Sequence, residues 1–255
     1  MDVDIVYNED CLIGMKALPD QSINAIITDL PYGTTMNKWD TIIPLDSLWE
    51  QYSRIIKPNG AIVLFAQSPF DKVLGCSNLK WLRYEWIWQK SNSTGFLNAK
   101  NAPMKAHETI LVFSPAGASP SAKPPMVYNP QFFMSKPYVA VRKGLRPSEN
   151  YGKYDGTTTV SNGERYPIDV IQFPSERNTK HPTEKPLKLI RYLVRTYSNE
   201  GELILDSCMG SGTTALAAIQ ENRHFIGYET NKEYYDLIID RIKKNAVSKD
   251  YFSHE

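Results

Sequence analysis

The sequence predicts an α/β fold: a seven-stranded, mostly parallel sheet with helices on both faces. Three observations carry this expectation. Short apolar runs of buried-strand type alternate with helical periodicities along the chain. The longest strictly apolar run, Ala61 to Ala66, is far shorter than the ~20 residues that span a bilayer. The 255 residues, 42% apolar with 14 Gly and 17 Pro, are enough for a large core and exclude a collagen, a disordered tail or a disulfide scaffold.

Each element has its own signal. Asp4 to Tyr7 is a short β-prone run, followed by a helical stretch over 11–18 that ends at Pro19-Asp20. Ile23 to Thr28 (INAIIT) is apolar throughout, as in a strand covered on both faces. Residues 47–56 place Leu48, Tyr52, Ile55 and Ile56 at helical spacing, and Lys57-Pro58-Asn59-Gly60 is expected to stop that helix. Strands are then expected over 61–65, 81–88 and 109–113. A helix over 186–197, a strand over 203–205, a helix over 213–222, a strand over 225–228 and an amphipathic helix over 232–244 close the chain.

Residues 114–180 break this rhythm. They are rich in Pro, Ser, Gly, Tyr and Lys, with aromatics that linkers seldom carry, among them Tyr128, Phe132, Phe133, Tyr138 and Tyr166. The net charge of +1 conceals an asymmetry: residues 80–185 hold 15 Lys and Arg against 8 Asp and Glu, the rest 14 against 20. A basic middle between acidic ends suggests a surface for a polyanion. The expected organisation is one domain of residues 1–113 and 181–255 with an inserted recognition region over 114–180.

Cys11, Cys76 and Cys208 are odd in number with no CxxC pair, so they read as free thiols in a reducing cytosol, with no zinc ligand set. The acidic opening MDVDIVYNED lacks the order of a signal peptide. A soluble cytoplasmic protein, without membrane or metal, is expected.

Two segments carry chemistry. Leu203-Ile-Leu-Asp206-Ser207-Cys-Met-Gly210-Ser-Gly212-Thr213 reads as a strand, a glycine-rich turn and a helix start, where backbone can approach a ligand closely. Glu229, at the end of the next strand, is placed to accept hydrogen bonds from ribose hydroxyls. Position 215 is Ala rather than the third glycine of a dinucleotide fingerprint, and no Lys follows Gly212, so a nucleoside cofactor without pyrophosphate fits better than NAD or ATP. Asp29-Leu30-Pro31-Tyr32-Gly33 follows directly on the INAIIT strand, at the sheet edge where α/β proteins place their sites. Its aromatic face suits stacking on a flat base, and its carboxylate suits an exocyclic amine.

These segments, with His181-Pro-Thr183-Glu-Lys185-Pro186, resemble the amino-methylating DNA methyltransferases that use S-adenosylmethionine. The catalytic motif precedes the cofactor motif, a circularly permuted order similar to the β group of that family, with target recognition in between. The resemblance implies the Rossmann-like class I methyltransferase fold and conversion of the cofactor to S-adenosylhomocysteine. Carried over residue by residue, Asp29, Leu30, Pro31 and Tyr32 match the catalytic tetrapeptide. Asp206, Ser207, Gly210, Gly212 and Thr213 match the cofactor turn, and Glu229 the ribose-binding acid. Asp10 matches the acid near the adenine, while Thr183 and Lys185 match the segment at the methionine end, with Asp29 also bordering the cofactor. Leu30 replaces the commoner proline, where the family uses only a carbonyl, and Cys208 replaces a common Phe that packs over the cofactor.

The implied reaction is methylation of the N6 amine of an adenine flipped from double-stranded DNA. The ionised carboxylate of Asp29 is the better acceptor, so that role requires no raised pKa. Asp at the first motif position favours adenine over the alternative, N4-cytosine methylation; a non-catalytic DNA-binding relative is the reading from another class. Lys123, Lys136, Arg142, Lys143 and Arg146 are the candidate DNA contacts. A cognate restriction endonuclease and a homodimer are further expected partners, in a bacterial or phage-infected cell.

Overall fold

The computed structural model describes residues 1–33, 40–119, 121–144, 156–175 and 184–252. In chain order these form β1 (Ile5–Tyr7), α1 (Cys11–Gly14), β2 (Ile23–Asp29), α2 (Leu45–Ile55), β3 (Ile56–Ala66), α3 (Phe70–Ser77), β4 (Leu82–Thr94) and β5 (Lys105–Phe113). There follow β6 (Phe133–Met134), β7 (Tyr138–Arg142), β8 (Thr157–Ser161), β9 (Glu164–Arg165), β10 (Val170–Gln172), α4 (Leu187–Tyr197), β11 (Leu203–Asp206), α5 (Thr213–Gln220), β12 (His224–Tyr228) and α6 (Lys232–Phe252).

The main sheet has the order β1-β12-β11-β2-β3-β5-β4-β10. Within it, among the described residues, only the β3–β5 and β5–β4 pairings are antiparallel. All seven expected strands lie in it, and an eighth, β10, pairs parallel with β4 through Val170 opposite Ile87. It was hidden because its three residues sit inside a stretch without strand-length alternation.

Side-chain alternation on the strands divides the core. Ala25, Ile27, Val63 and Ile204 face Leu189, Leu193, Ala217 and Ile238 of α4, α5 and α6. Ile26, Ile62, Leu64 and Leu205 face Leu48, Tyr52, Ile55 and Leu74 of α2 and α3. Lys57-Pro58-Asn59-Gly60 does not separate helix from strand as expected: α2 ends at Ile55, and these residues belong to β3. A register shift between Ile23 and Ala25 of β2 accommodates them. The α3 helix was not anticipated; its apolar face is confined to a few positions, with Phe70 and Leu74 buried and Val73 exposed.

The chain falls into two compact units. One comprises Met1–Asn129 and Asp169–Glu255, the other Pro130–Ile168. The separate unit is thus narrower than the 114–180 expected from composition. The reason is hydrogen bonding that composition does not reveal: Ser114 Oγ donates to the carbonyl of Gly60, Val127 N to Asn59 and Asn129 N to Thr196. The small unit holds two antiparallel pairs, β6 with β9 and β7 with β8. Within it the Arg165 guanidinium lies 4.4 Å from the Tyr138 ring, and Arg165 Nη2 donates to the carbonyl of Lys136.

Candidate active site

Strands β11 and β2 are neighbours, and from them the chain departs in opposite directions across the sheet, through α5 to β12 and through α2 to β3. Such a switch point opens a crevice at the carboxyl ends of the strands. A cavity of about 720 Å³ lies there, lined by Asp10, Asp29, Asp206 and Glu229 among others.

Asp206 ends β11 and is buried, its Oδ1 accepting from the Cys208 amide at 3.0 Å. Burial pushes its carboxyl up to about 6, against hydrogen bonds that favour the charged form. The turn after it is tied to β12: Met209 N donates to the Tyr228 carbonyl at 2.8 Å, and Gly210 N to Glu229 Oε2 at 2.8 Å. Glu229 Oε1 also accepts from Asn231 N at 2.7 Å, so this acid cross-links the turn that it borders. Burial raises its pKa as well, opposed by those amides. Gly227 makes room beneath, since a Cβ there would stand 1.9 Å from the Met209 side chain.

Of the other turn residues, Gly210 and Thr213 line the cavity, while Gly212 does not. Gly212 has φ +83, and a Cβ on it would meet Ile238 of α6 at 2.9 Å. Its glycine therefore serves the turn and the packing against α6. Ser207 borders the cavity but is buried, its Oγ 2.6 Å from the Tyr52 hydroxyl and its amide donating to Thr28 Oγ1. Asp10 caps α1, accepting from Leu12 N at 2.7 Å, and also lines the cavity.

On β2, the strand next to β11, Asp29 is the last residue and also lines the cavity. Its Oδ1 accepts from the Tyr32 hydroxyl at 2.6 Å, and its Oδ2 lies 2.8 Å from Lys185 Nζ. Leu30 is buried in the core, Pro31 and Tyr32 are half-buried, and the Tyr32 ring stacks on Phe70 at 5.4 Å. Gly33 N donates to Asp40 Oδ1, closing the described part of the loop.

Two residues that sequence reasoning missed complete this wall. Glu108 of β5 reaches Lys185 Nζ at 2.9 Å with Oε2 and Lys90 Nζ of β4 at 2.5 Å with Oε1. The result is an ion chain, Lys90–Glu108–Lys185–Asp29, largely withdrawn from water. Burial raises the pKa of Asp29, offset in part by Lys185 and reinforced by Glu108. Burial would lower Lys185, yet Asp29 and Glu108 hold it above the ordinary lysine range. Glu108 is lowered despite burial, because two ammonium groups face it. Lys185 therefore stands as the shared cation of the Asp29 and Glu108 carboxylates. The one signal in the sequence was the charge itself: Lys90 and Glu108 flank strongly apolar strand segments.

Thr183, the third residue of the segment His181-Pro182-Thr183, lies outside the described residues, as does Arg146. Lys123 belongs to the larger unit and is exposed; Lys136, Arg142 and Lys143 are exposed on the smaller one. Among the described residues there is no group of three His, Cys, Asp or Glu placed to hold a metal ion, and no helix long and apolar enough to cross a membrane.

A permuted Rossmann-like sheet, with an acidic crevice at its switch point and an Asp-Leu-Pro-Tyr loop beside a glycine turn on the neighbouring strand, defines an amino-methyltransferase architecture. Residues 23–240 match the DNA methylase model of the N6/N4 amino-methyltransferases, and the chain belongs to that family. It is 25% identical to the type II methyltransferase M.HindIII of Haemophilus influenzae, over 95% of this chain and 97% of that one. It is also 25% identical to the DNA adenine methyltransferase YhdJ of Escherichia coli, over 98% and 85%. Among solved structures, the complex of M1.HpyAVI with S-adenosylmethionine superposes with a TM-score of 0.58 at 24% identity, over 92% of this chain and 98% of that one. The cytosine-N4-specific PvuII methyltransferase gives 0.64 at 18%, over 90% and 82%.

Proposed function

We propose that this chain transfers a methyl group from S-adenosylmethionine to the N6 amine of an adenine flipped out of double-stranded DNA. The observation that carries this reading is the Asp29 carboxylate on the cavity wall, held by Tyr32 and Lys185 in the same cavity that Asp206 and Glu229 line. The cavity suits the cofactor by size and by chemistry: its carboxylates favour a cationic nucleoside with hydroxyl and amine donors. When bound, S-adenosylmethionine supplies a methyl group on a positively charged sulfur, an electrophile that needs no further activation. Asp10, Asp206 and Glu229 would hold it.

The residues of the chain then have one main task, positioning. The N6 lone pair of adenine is delocalised into the ring. Asp29 and the Leu30 carbonyl accept the two N6 hydrogens, which favours a more pyramidal nitrogen with its lone pair free for in-line attack. Tyr32 presents a face for the flipped base, and Phe70 behind it holds that ring in place. Asp29, already accepting one N6 hydrogen, would take the proton that the nitrogen sheds on methylation.

The smaller unit, with the flanking residues of 114–180, is proposed to read the target. Exposed Lys136, Arg142 and Lys143 would neutralise phosphates there. A companion restriction endonuclease, a homodimer and a bacterial cytoplasm belong to the same proposal. The test is methylation of a mixed-sequence plasmid with labelled S-adenosylmethionine, followed by nucleoside analysis and single-molecule mapping. Labelled N6-methyladenine at one short site is expected. N4-methylcytosine would overturn the choice of base, and no incorporation would overturn the transferase reading.

A further inference from the structure

Strands β4 and β5 form a hairpin whose connecting loop, over 95–104, lies beyond the carboxyl edge of the sheet. Trp88 pairs opposite Glu108 and Thr94 opposite Lys105, and Trp88, Lys90, Thr94 and Glu108 all line the cavity. The loop that follows is therefore continuous with the cavity wall. Its root is tied to that wall as well, because Lys105 Nζ donates to Gln67 Oε1 at 2.9 Å and Gln67 is a lining residue.

At the tip, Gly95 adopts φ +88 and the chain makes a short 3₁₀ turn over Phe96–Asn98. Four backbone hydrogen bonds define it: Asn98 N to Gly95 O, Ala99 N to Phe96 O, and Asn101 N and Ala102 N to Asn98 O. This ordered turn presents Phe96 at 76% and Leu97 at 97% exposure. A turn needs small or polar residues for its own geometry, not two adjacent large apolar ones in water. Nothing in the turn's hydrogen bonding uses either side chain. Between Glu85 and Glu108 the chain has no acidic residue; Lys90 is taken up by Glu108, while Lys100 and Lys105 are exposed. An apolar tip on a cationic hairpin, at the mouth of the cavity, matches a stacked and polyanionic partner.

We propose that Phe96 and Leu97 form a wedge that enters the DNA stack beside the target base and holds open the gap its extrusion leaves. This rests on the base-flipping reading above. Apolar side chains inserted between base steps unstack them, and cations at the wedge's root neutralise the adjoining phosphates. A base already weakly paired needs less help to leave the stack.

The test compares wild type with the F96A/L97A double variant of the full chain, in single-turnover methylation of a duplex carrying the mapped site. A matched duplex and one with the target adenine opposite an abasic site are both used. On the matched duplex the variant is expected to be at least tenfold slower; on the abasic duplex it should come within about twofold of wild type, with cofactor affinity unchanged by calorimetry. Equal rates on the matched duplex, or an equal loss on both, would overturn the wedge. So would a change of oligomeric state on sedimentation accompanying an equal loss, which would mark the tip as a contact between copies. Absence of transfer by wild type on every duplex would overturn the transferase reading and the wedge with it, whereas transfer with no effect of the variant overturns the wedge alone.

Discussion

Lys185 Nζ stands 2.8 Å from Asp29 Oδ2, joining the residue before Pro186 to the end of β2 across more than half the length of the chain. The pair is withdrawn from water, with the Lys185 side chain 9% and the Asp29 side chain 25% exposed. Removing one member of such a pair leaves a buried charge without its partner. Lys185→Met should therefore cost about 3–5 kcal/mol of stability at pH 7. Asp29 and Glu108 would lose their shared cation, and their carboxyl pKa values would rise. The loss should shrink as pH falls and both groups take up protons. Chemical denaturation at pH 7 and pH 5 measures it, and an unchanged midpoint at both would show that the pair contributes nothing.

Glu108 acts on Asp29 through charge. Burial is the main cause of Asp29's raised pKa, but the Glu108 carboxylate adds to it. Glu108→Gln removes that repulsion and leaves Lys185 wholly to Asp29, so Asp29 should ionise at lower pH. The acidic limb of the single-turnover rate profile should then move down relative to wild type. A limb that stays in place, or moves up, would separate that ionisation from Asp29.

Asp206 retains its proton in the folded state up to about pH 6, whereas an unfolded chain releases it near the ordinary carboxyl value of 3.8. Between those values the folded state holds more protons, so stability falls as pH rises through the window. Asp206→Asn should accordingly stabilise the protein at pH 8, by roughly 1–3 kcal/mol, and leave it unchanged at pH 4. Cofactor affinity should fall in the same variant. Thermal unfolding at the two pH values decides the first point; a variant less stable at pH 8 would contradict it.

The exposed cations of the smaller unit predict a salt effect. Neutralising Lys136, Arg142 and Lys143 together should weaken DNA binding and flatten the slope of log affinity against log salt, by ~0.9 for each phosphate that no longer meets a cation. Titrations across a salt series that superimpose for wild type and triple variant would move the DNA surface elsewhere.

The sheet was legible where strands carry continuous apolar runs, as in INAIIT and AIVLFA, because burial on both faces demands them. It was illegible at β10, whose three residues depend on β4 for pairing, and at Lys57 to Gly60, where a tertiary register shift overrides turn-like residues. The glycine turn and the Asp29 loop were legible as turns because glycine and proline follow closely on continuous apolar strand runs. The Lys90–Glu108 part of the site was not: those residues are local charges on two strands, and only the antiparallel pairing of β4 with β5 brings them to Lys185. A second constraint on Gly212 was not legible, since a Cβ there would meet Ile238 of α6, 26 residues further on.

The most direct measurement is single-turnover methyl transfer by purified Asp29→Ala on the mapped duplex, alongside calorimetry with S-adenosylmethionine. If Asp29 orients the target amine, transfer should fall by about 10³-fold or more, a loss comparable to removing a key transition-state hydrogen bond. Cofactor affinity should stay within a few-fold, because Asp10, Asp206 and Glu229 remain. Near-normal transfer by a folded Asp29→Ala protein would contradict the catalytic assignment outright.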